Sequence, residues 1–214
     1  MSRNSYRYVN TVRLMGEIVQ TRAVDYGIYL HVQLNDPLSD HRVPCPMTLI
    51  VLLPLSYIPR GFPSERDYIG KTILLEGQLT MRFGTLMVTV TATPTMFNKE
   101  KASSPVNRLF LRGKITKIAN VRGGVRLTIY LQDPLRDDDE RLCSMIVTVF
   151  LPSEYIPQGF SKECDYIGKS IFLEGQLTTY LGVRMVVVSS MPKIAKLLRI
   201  SPCERKRIRG KKNS

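Results

Sequence analysis

The segment Tyr68-Ile-Gly-Lys-Thr-Ile-Leu-Leu-Glu-Gly-Gln-Leu-Thr80 returns as Tyr166-Ile-Gly-Lys-Ser-Ile-Phe-Leu-Glu-Gly-Gln-Leu-Thr178, a shift of 98 residues. Tyr57-Ile-Pro-Arg-Gly-Phe62 returns as Tyr155-Ile-Pro-Gln-Gly-Phe160 at the same shift, and Asn35-Asp-Pro-Leu38 as Gln132-Asp-Pro-Leu135 at a shift of 97. A near-constant shift with a single one-residue slip describes two whole domains in tandem, since solenoid repeats recur every few tens of residues. The repeat divides 214 residues into two domains of about 95 residues, a size that folds around one compact core. The expected boundaries are 1–98 and 106–195, with a polar linker over 99–105 and a basic tail over 196–214.

Composition narrows the class. Hydrophobic residues at 43% and charged residues at 23% are ordinary for a folded protein. No apolar run approaches the roughly 20 residues that span a bilayer, and Met1–Arg7 lacks the apolar core of a secretory signal, so a cytoplasmic location is expected. Cys45 and Cys143 are twins while Cys164 and Cys203 have none. Without a CxxC pair and with two histidines, reduced thiols are expected rather than a metal site. The net charge is +13, and more than half of it sits in the tail, where eight basic residues face only Glu204. Arg205, Lys206, Arg207, Arg209, Lys211 and Lys212 read as a disordered arm for a polyanion. Nucleic acid is the better target than a membrane, because neither a lipidation motif nor an amphipathic apolar face accompanies them.

Each copy alternates like a strand protein. Val12, Leu14, Gly16 and Ile18 alternate with Arg13, Met15 and Glu17; Ile28, Leu30, Val32 and Leu34 alternate with Tyr29, His31 and Gln33. The second copy repeats both patterns over Leu109–Ile115 and Val125–Leu131. A third strand is apolar on both faces (Met47–Leu53, Met145–Leu151), which implies a partly covered outer face. A fourth and fifth form a hairpin about Gly84, or Gly182 in the twin. Glycines inside strands (Gly16, Gly77) imply sharp bends or close backbone approach. Three strands, a Pro- and Gly-bearing connection with a short helical turn, then a hairpin is the order of the OB-fold. The expected class is all-β, two tandem five-stranded OB-fold barrels.

Val9-Asn-Thr-Val-Arg-Leu-Met-Gly-Glu-Ile18 and Val106-Asn-Arg-Leu-Phe-Leu-Arg-Gly-Lys-Ile115 resemble the first strand of bacterial single-stranded DNA-binding proteins. The Glu-Gly-Gln-Leu-Thr segments resemble that family's fourth strand, and the PriB proteins of the same superfamily compare as well. The resemblance covers both copies almost end to end. It departs from the family in three ways: there is no tryptophan, the tail is basic where the family's is acidic and ends in Pro-Phe, and two domains share one chain. The resemblance implies single-stranded DNA as ligand, with replication or recombination proteins as partners. It also implies either a homodimer presenting four barrels or a monomer that is a pseudo-dimer by itself.

Binding a single strand without reading its sequence needs cations for phosphates and flat side chains for bases. Outward positions of the first two strands offer Arg13, Tyr29 and His31 in copy one, then Phe110, Arg112, Lys114, Arg126 and Tyr130 in copy two. The third strand adds Phe150, whose twin is Leu52. The first hairpin loops add Arg22, Tyr26, Lys117 and Arg122. Near the second hairpin tips lie Arg82 and Phe83, and Tyr180 and Arg184 in the twin. The richer charge of copy two predicts that it binds more tightly than copy one. Tyr57, Tyr68, Tyr155 and Tyr166, kept in both copies beside Pro or Gly, read instead as structural. The acidic run Asp137–Glu140 is a place a nucleic acid would avoid. No phosphate-cradling loop, metal cluster or nucleophile–base pair occurs, so catalysis and cofactors are not expected. RNA binding, a PriB-like accessory role, or a protein scaffold whose tail alone touches nucleic acid stay open as alternatives.

Overall fold

The computed structural model describes residues 9–35, 37, 46–62, 64–82, 84–98, 106–136, 142–157, 166–180 and 183–194. The linker 99–105, the run Asp137–Glu140, the tail 196–214, Phe83, Gly182, Cys45, Cys164 and Cys203 lie outside these residues, as do the side chains of Tyr180 and Cys143. Copy one supplies β1 (Asn10–Val24), β2 (Gly27–Asn35), β3 (Pro46–Pro54), β4 (Lys71–Arg82), β5 (Thr85–Val90) and a short β6 (Thr95–Asn98). Copy two supplies β7 (Asn107–Val121), β8 (Gly124–Arg136), β9 (Leu142–Pro152), β10 (Ser170–Tyr180), β11 (Val183–Val188) and β12 (Lys193–Ile194).

Strand pairing closes on itself twice. In copy one the order β1-β2-β3-β5-β4 returns to β1, and in copy two β7-β8-β9-β11-β10 returns to β7. One junction in each ring is parallel, Val51↔Val88 and Leu52↔Thr89 in the first, Val149↔Val186 and Val187↔Phe150 in the second. These are the two expected OB-fold barrels. The sixth strands, β6 and β12, which the sequence pattern does not announce, add a short edge beside β4 and β10.

The alternation read from the sequence is the packing pattern. Val12, Leu14, Ile18, Leu30, Val32, Leu49, Val51, Leu75, Leu79 and Val88 fill the first barrel, and Leu109, Leu111, Ile115, Leu127, Ile129, Val147, Leu173 and Val186 fill the second. Small barrels need strands that bend and pass closely. A bulge between Ile18 and Gln20 lets β1 pair with β4 along its first half and with β2 along its second, and the twin bulge lies between Ile115 and Lys117. At Gly77 a Cβ would stand 2.5 Å from the Thr89 carbonyl oxygen and 2.7 Å from a Val88 methyl, so only glycine fits there. Gly175 meets the same constraint from Val187 and Val186. Tyr68 is fully buried, its ring 5.1 Å from Phe62, and Tyr57, Tyr155 and Tyr166 also pack against the core.

The two barrels share a strand junction. β1 and β7 pair antiparallel from Asn10↔Leu111 to Leu14↔Asn107, and two further bonds, Met15 N–H to Val106 O and Arg112 N–H to Val9 O, both 2.7 Å, extend the ladder. A continuous 12-stranded sheet results, with the strands of each copy kept together on their own side of the junction.

As β1 leaves β4 to meet β7, their ladder stops at Val12↔Gly77. The Asn10 side-chain amide takes over, donating to Leu79 O (2.8 Å) and accepting from Leu79 N–H (2.9 Å). Asn107 does the same for Leu177 at 2.8 and 2.9 Å. A carboxamide presents an N–H donor beside a carbonyl acceptor, as a backbone rung does, so it replaces the missing one. Asn10 is buried while Asn107 is partly exposed. Replacing Asn10 by alanine is therefore expected to cost about 1–3 kcal/mol for each backbone group left unpaired, and Asn107→Ala less, because water reaches that site. Urea unfolding of the two variants measures the difference; equal losses would remove this account of the junction.

Candidate nucleic-acid interface

On the outer face of the first barrel, antiparallel pairing sets the side chains in rungs: Tyr29 opposite Leu52, His31 opposite Ile50, and Gln33 opposite Thr48. Across the other edge of β2, Arg22 stands opposite Tyr29. The β1–β2 turn brings Tyr26 back onto this face. Its hydroxyl lies 2.7 Å from that of Tyr29, and the two rings meet edge to face with centroids 6.2 Å apart. Arg82, at the end of β4, places its guanidinium 4.8 Å from the centre of the Tyr26 ring. These groups bound a cavity of about 350 Å³ lined by Arg22, Tyr26, Tyr29, His31 and Arg82 over Ile50, Thr85 and Met87. Two phenol rings, two guanidiniums and an imidazole converge with no carboxylate in the lining. Rings in such a setting offer faces for bases, and the cations offer charge for phosphates.

Burial raises the Tyr29 phenol above its ordinary pKa; the hydrogen bond and the charge of Tyr26 act in the same direction, while Arg82 opposes them. The Tyr29 phenol therefore stays neutral through the physiological range.

The second barrel carries a different face. Its rungs are Arg126 opposite Phe150, Thr128 opposite Thr148, and Tyr130 opposite Ile146, with Lys114 on the other side of Tyr130. Tyr130 is 41% exposed and Ile146 59%. The Phe150 ring lies against Gly124, whose added Cβ would stand 3.0 Å from it. Lys117 and Arg122 are exposed on β7 and its turn. The tyrosine pair has no counterpart here, since Gly123 stands at the position of Tyr26 and Arg126 at that of Tyr29.

Three candidates lie at the β1–β7 junction. Arg13 pairs with Glu76 at 3.7 Å. Phe110 stacks on Phe172 at 6.4 Å, beneath Arg108, which bonds Glu174. Arg112 is the cross-strand partner of Phe172. Arg184 is placed differently again. It reaches from β11 into the first barrel and donates to Leu86 O at 3.0 Å and Thr48 O at 3.2 Å. Loss of water holds its pKa below the usual guanidinium value. It ties the barrels together and lines a groove of about 870 Å³ between them. Neither that tie nor the β1–β7 junction is visible in residue patterns, because each depends on how the copies meet. Among the described residues no cluster of acidic, histidine or cysteine side chains suits a metal, and no helix is long and apolar enough to cross a membrane.

No family model matches this chain, and no curated protein matches it. Solved structures do. A deletion mutant of the single-stranded DNA-binding protein from Thermus aquaticus superposes with a TM-score of 0.61 at 16% identity, over 92% of this chain and 98% of that one. The wild-type protein from the same organism gives 0.59 at 16% identity, over 90% and 95%. The chain thus has, over nearly its whole length, the two-barrel fold of a bacterial single-stranded DNA-binding protein.

The tyrosine pair generates a direct test. Tyr26→Phe removes a group that raises Tyr29 and leaves Arg82, which lowers it, so the Tyr29 phenol is expected to ionise at lower pH than in the unaltered protein. The sign follows from the raised value: the neutral phenol's contribution to stability is complete below pH 10 and is lost as pH rises through the folded-state pKa. Phenolate absorbance titration reads it, and an unmoved Tyr29 would dissolve the pair.

Proposed function

We propose that this chain is a non-catalytic, cytoplasmic protein that binds single-stranded DNA without sequence preference, in replication, recombination or conjugation. The observation that carries the reading is the Tyr26–Tyr29–Arg82 cluster with Arg22 and His31, set on the outer face of an OB barrel and free of carboxylates among its lining residues. The Thermus aquaticus protein of the same fold is named for binding single-stranded DNA, which supports this ligand. Charge counting favours the second barrel, but convergence favours the first. Stacked bases contribute about 1–3 kcal/mol each where rings are held ready, and among the described residues only the first barrel holds two tyrosines together. We assign it the tighter contact, with Arg126, Tyr130, Lys114 and Phe150 extending the surface.

Tyr29→Ala is expected to weaken binding of an oligothymidylate by about 1–3 kcal/mol while the fold is kept; Tyr68→Ala should instead lower stability, since that ring is fully buried. Competition by duplex DNA and by RNA of the same sequence tests the class of ligand. RNA competing as well as DNA would favour an RNA-binding role, and no single strand binding at all would favour the protein scaffold. Deleting residues 196–214 removes eight basic side chains. It should flatten the salt dependence of affinity without changing the preference for single strands.

We further propose that two chains associate to present four barrels, through the outward side of the β1–β7 junction. There the Phe110–Phe172 stack is bordered by the ion pair Arg108–Glu174, with Arg13–Glu76 across the junction, a mix of apolar and oppositely charged groups suited to a like surface. Sedimentation of a Phe172→Glu variant should show single chains where the unaltered protein shows pairs. A wild-type protein that sediments as one chain would establish the pseudo-dimeric monomer.

A further inference from the structure

The groove between the barrels is a second contact surface for which neither the charge pattern nor the stacking cluster accounts. Its walls are the outer faces of β3 and β9, with Thr48 and Ile50 on one side and Ile146 and Thr148 on the other, closed at the ends by the β4–β5 and β10–β11 hairpins. Ile50 and Thr85 line both this groove and the tyrosine cavity, so the two are one continuous depression. At the far end Ile146 is the cross-strand partner of Tyr130, and Tyr130 in turn of Lys114. Outward residues thus run from Arg22 and Tyr29 to the next rung, His31 with Ile50, across the groove to Ile146, and on to Tyr130 and Lys114.

The lining chemistry favours one occupant. No described lining residue of either depression is acidic, while methionine, isoleucine, valine and threonine side chains form the groove floor. The cation present, Arg184, is directed at the carbonyl oxygens of Leu86 and Thr48. Its donors are partly engaged, so it serves the groove as a wall. Such a surface suits the flat apolar faces of bases better than phosphates. It joins two aromatic–cationic patches that each suit a nucleotide strand.

We infer that one single strand runs through this groove, its bases against Ile50 and Ile146, passing from the tyrosine cluster of the first barrel to Tyr130 and Lys114 of the second. This rests on the single-strand reading above and adds the path. The chain then binds a long strand as one continuous site instead of two independent ones.

The test uses the full chain and two oligothymidylates: one of about 8 nucleotides, enough for one barrel, and one of about 30, enough for both. Ile146 is 59% exposed, so a charged residue there leaves the core intact. Ile146→Glu sets a negative charge beside the proposed path and should weaken the long oligomer about tenfold while sparing the short one; Ile146→Lys should not weaken it. Tyr29→Ala should weaken both oligomers. If Tyr29→Ala weakens both and Ile146→Glu weakens neither, the path is overturned and the first-barrel site stands. Equal weakening of the short and the long oligomer by both substitutions would mean disturbed packing and also overturn the path. An Ile146→Glu effect that vanishes once residues 196–214 are deleted would make the tail the occupant. If the unaltered chain binds neither oligomer, the single-strand reading itself fails.

Discussion

Everything about this molecule depends on the antiparallel junction of β1 and β7. The first half of β1 pairs with β4 on one side, and without β7 its other side would be an open row of amides and carbonyls. Open edges invite indiscriminate pairing. Because the chain carries a twin of that same strand, the edge is closed internally by a like edge in antiparallel register, the arrangement that a two-fold axis produces between identical subunits. The asparagines at the start of each strand make the exchange affordable in hydrogen bonds. As the backbone peels away from β4, the side-chain amide keeps Leu79 satisfied, and Asn107 does so for Leu177. No buried side-chain polar atom among the described residues is left without a partner.

Joining the barrels this way sets their outer faces opposite each other. β3 and the β4–β5 hairpin of one copy and β9 and the β10–β11 hairpin of the other line a common groove, and Arg184 reaches across it. The twin of Arg184 is Leu86, whose carbonyl is one of its acceptors, so the tie is one-sided. Interior positions, which must build the same barrel twice, stay alike: Leu14 and Leu111, Leu30 and Leu127, Val88 and Val186. Outer positions have diverged: Tyr26 to Gly123, Tyr29 to Arg126, His31 to Thr128. One fold thus carries a stacking cluster on one half and a more open cationic face on the other.

The barrels were legible in the sequence because their determinants are local. Alternation, the Gly77 and Gly175 close approaches and the Gly84 hairpin act within a few residues or between neighbouring strands, and the repeat supplied an internal check. The tyrosine cluster was legible as a set of candidates: Arg22, Tyr26, Tyr29, His31 and Arg82 were separately visible as outward or loop residues. Their convergence was not, because the turn that returns Tyr26 and the hairpin that delivers Arg82 are properties of the closed barrel. Arg184 and the Phe110–Phe172 stack were hidden for a further reason. An outward arginine or phenylalanine reads alike whether it meets solvent, a twin barrel or a ligand, and the alternation that marks it as outward says nothing about what stands opposite. Asn10 and Asn107 did leave a trace, standing at matching places in the two first-strand motifs. Their role follows only once the strand is seen to change partners.

The contrast between Arg82 and Arg184 separates two uses of one side chain. Arg82 lies over a phenol ring beside an open cavity, where an added phosphate would find the cation still able to donate. Arg184 is directed at two main-chain carbonyls and partly stripped of water, so its charge is held by the protein's own dipoles. A count of basic residues gives them equal weight, although only the first is disposed to release counterions on binding. The salt dependence of this protein should therefore arise at the tyrosine cluster, the exposed lysines and arginines of the second barrel and the tail. On the proposed path the groove, with its one engaged arginine and apolar floor, would contribute through contact area that salt does not screen. A long strand lying in it would lose affinity with salt no faster than the phosphates at its two ends dictate.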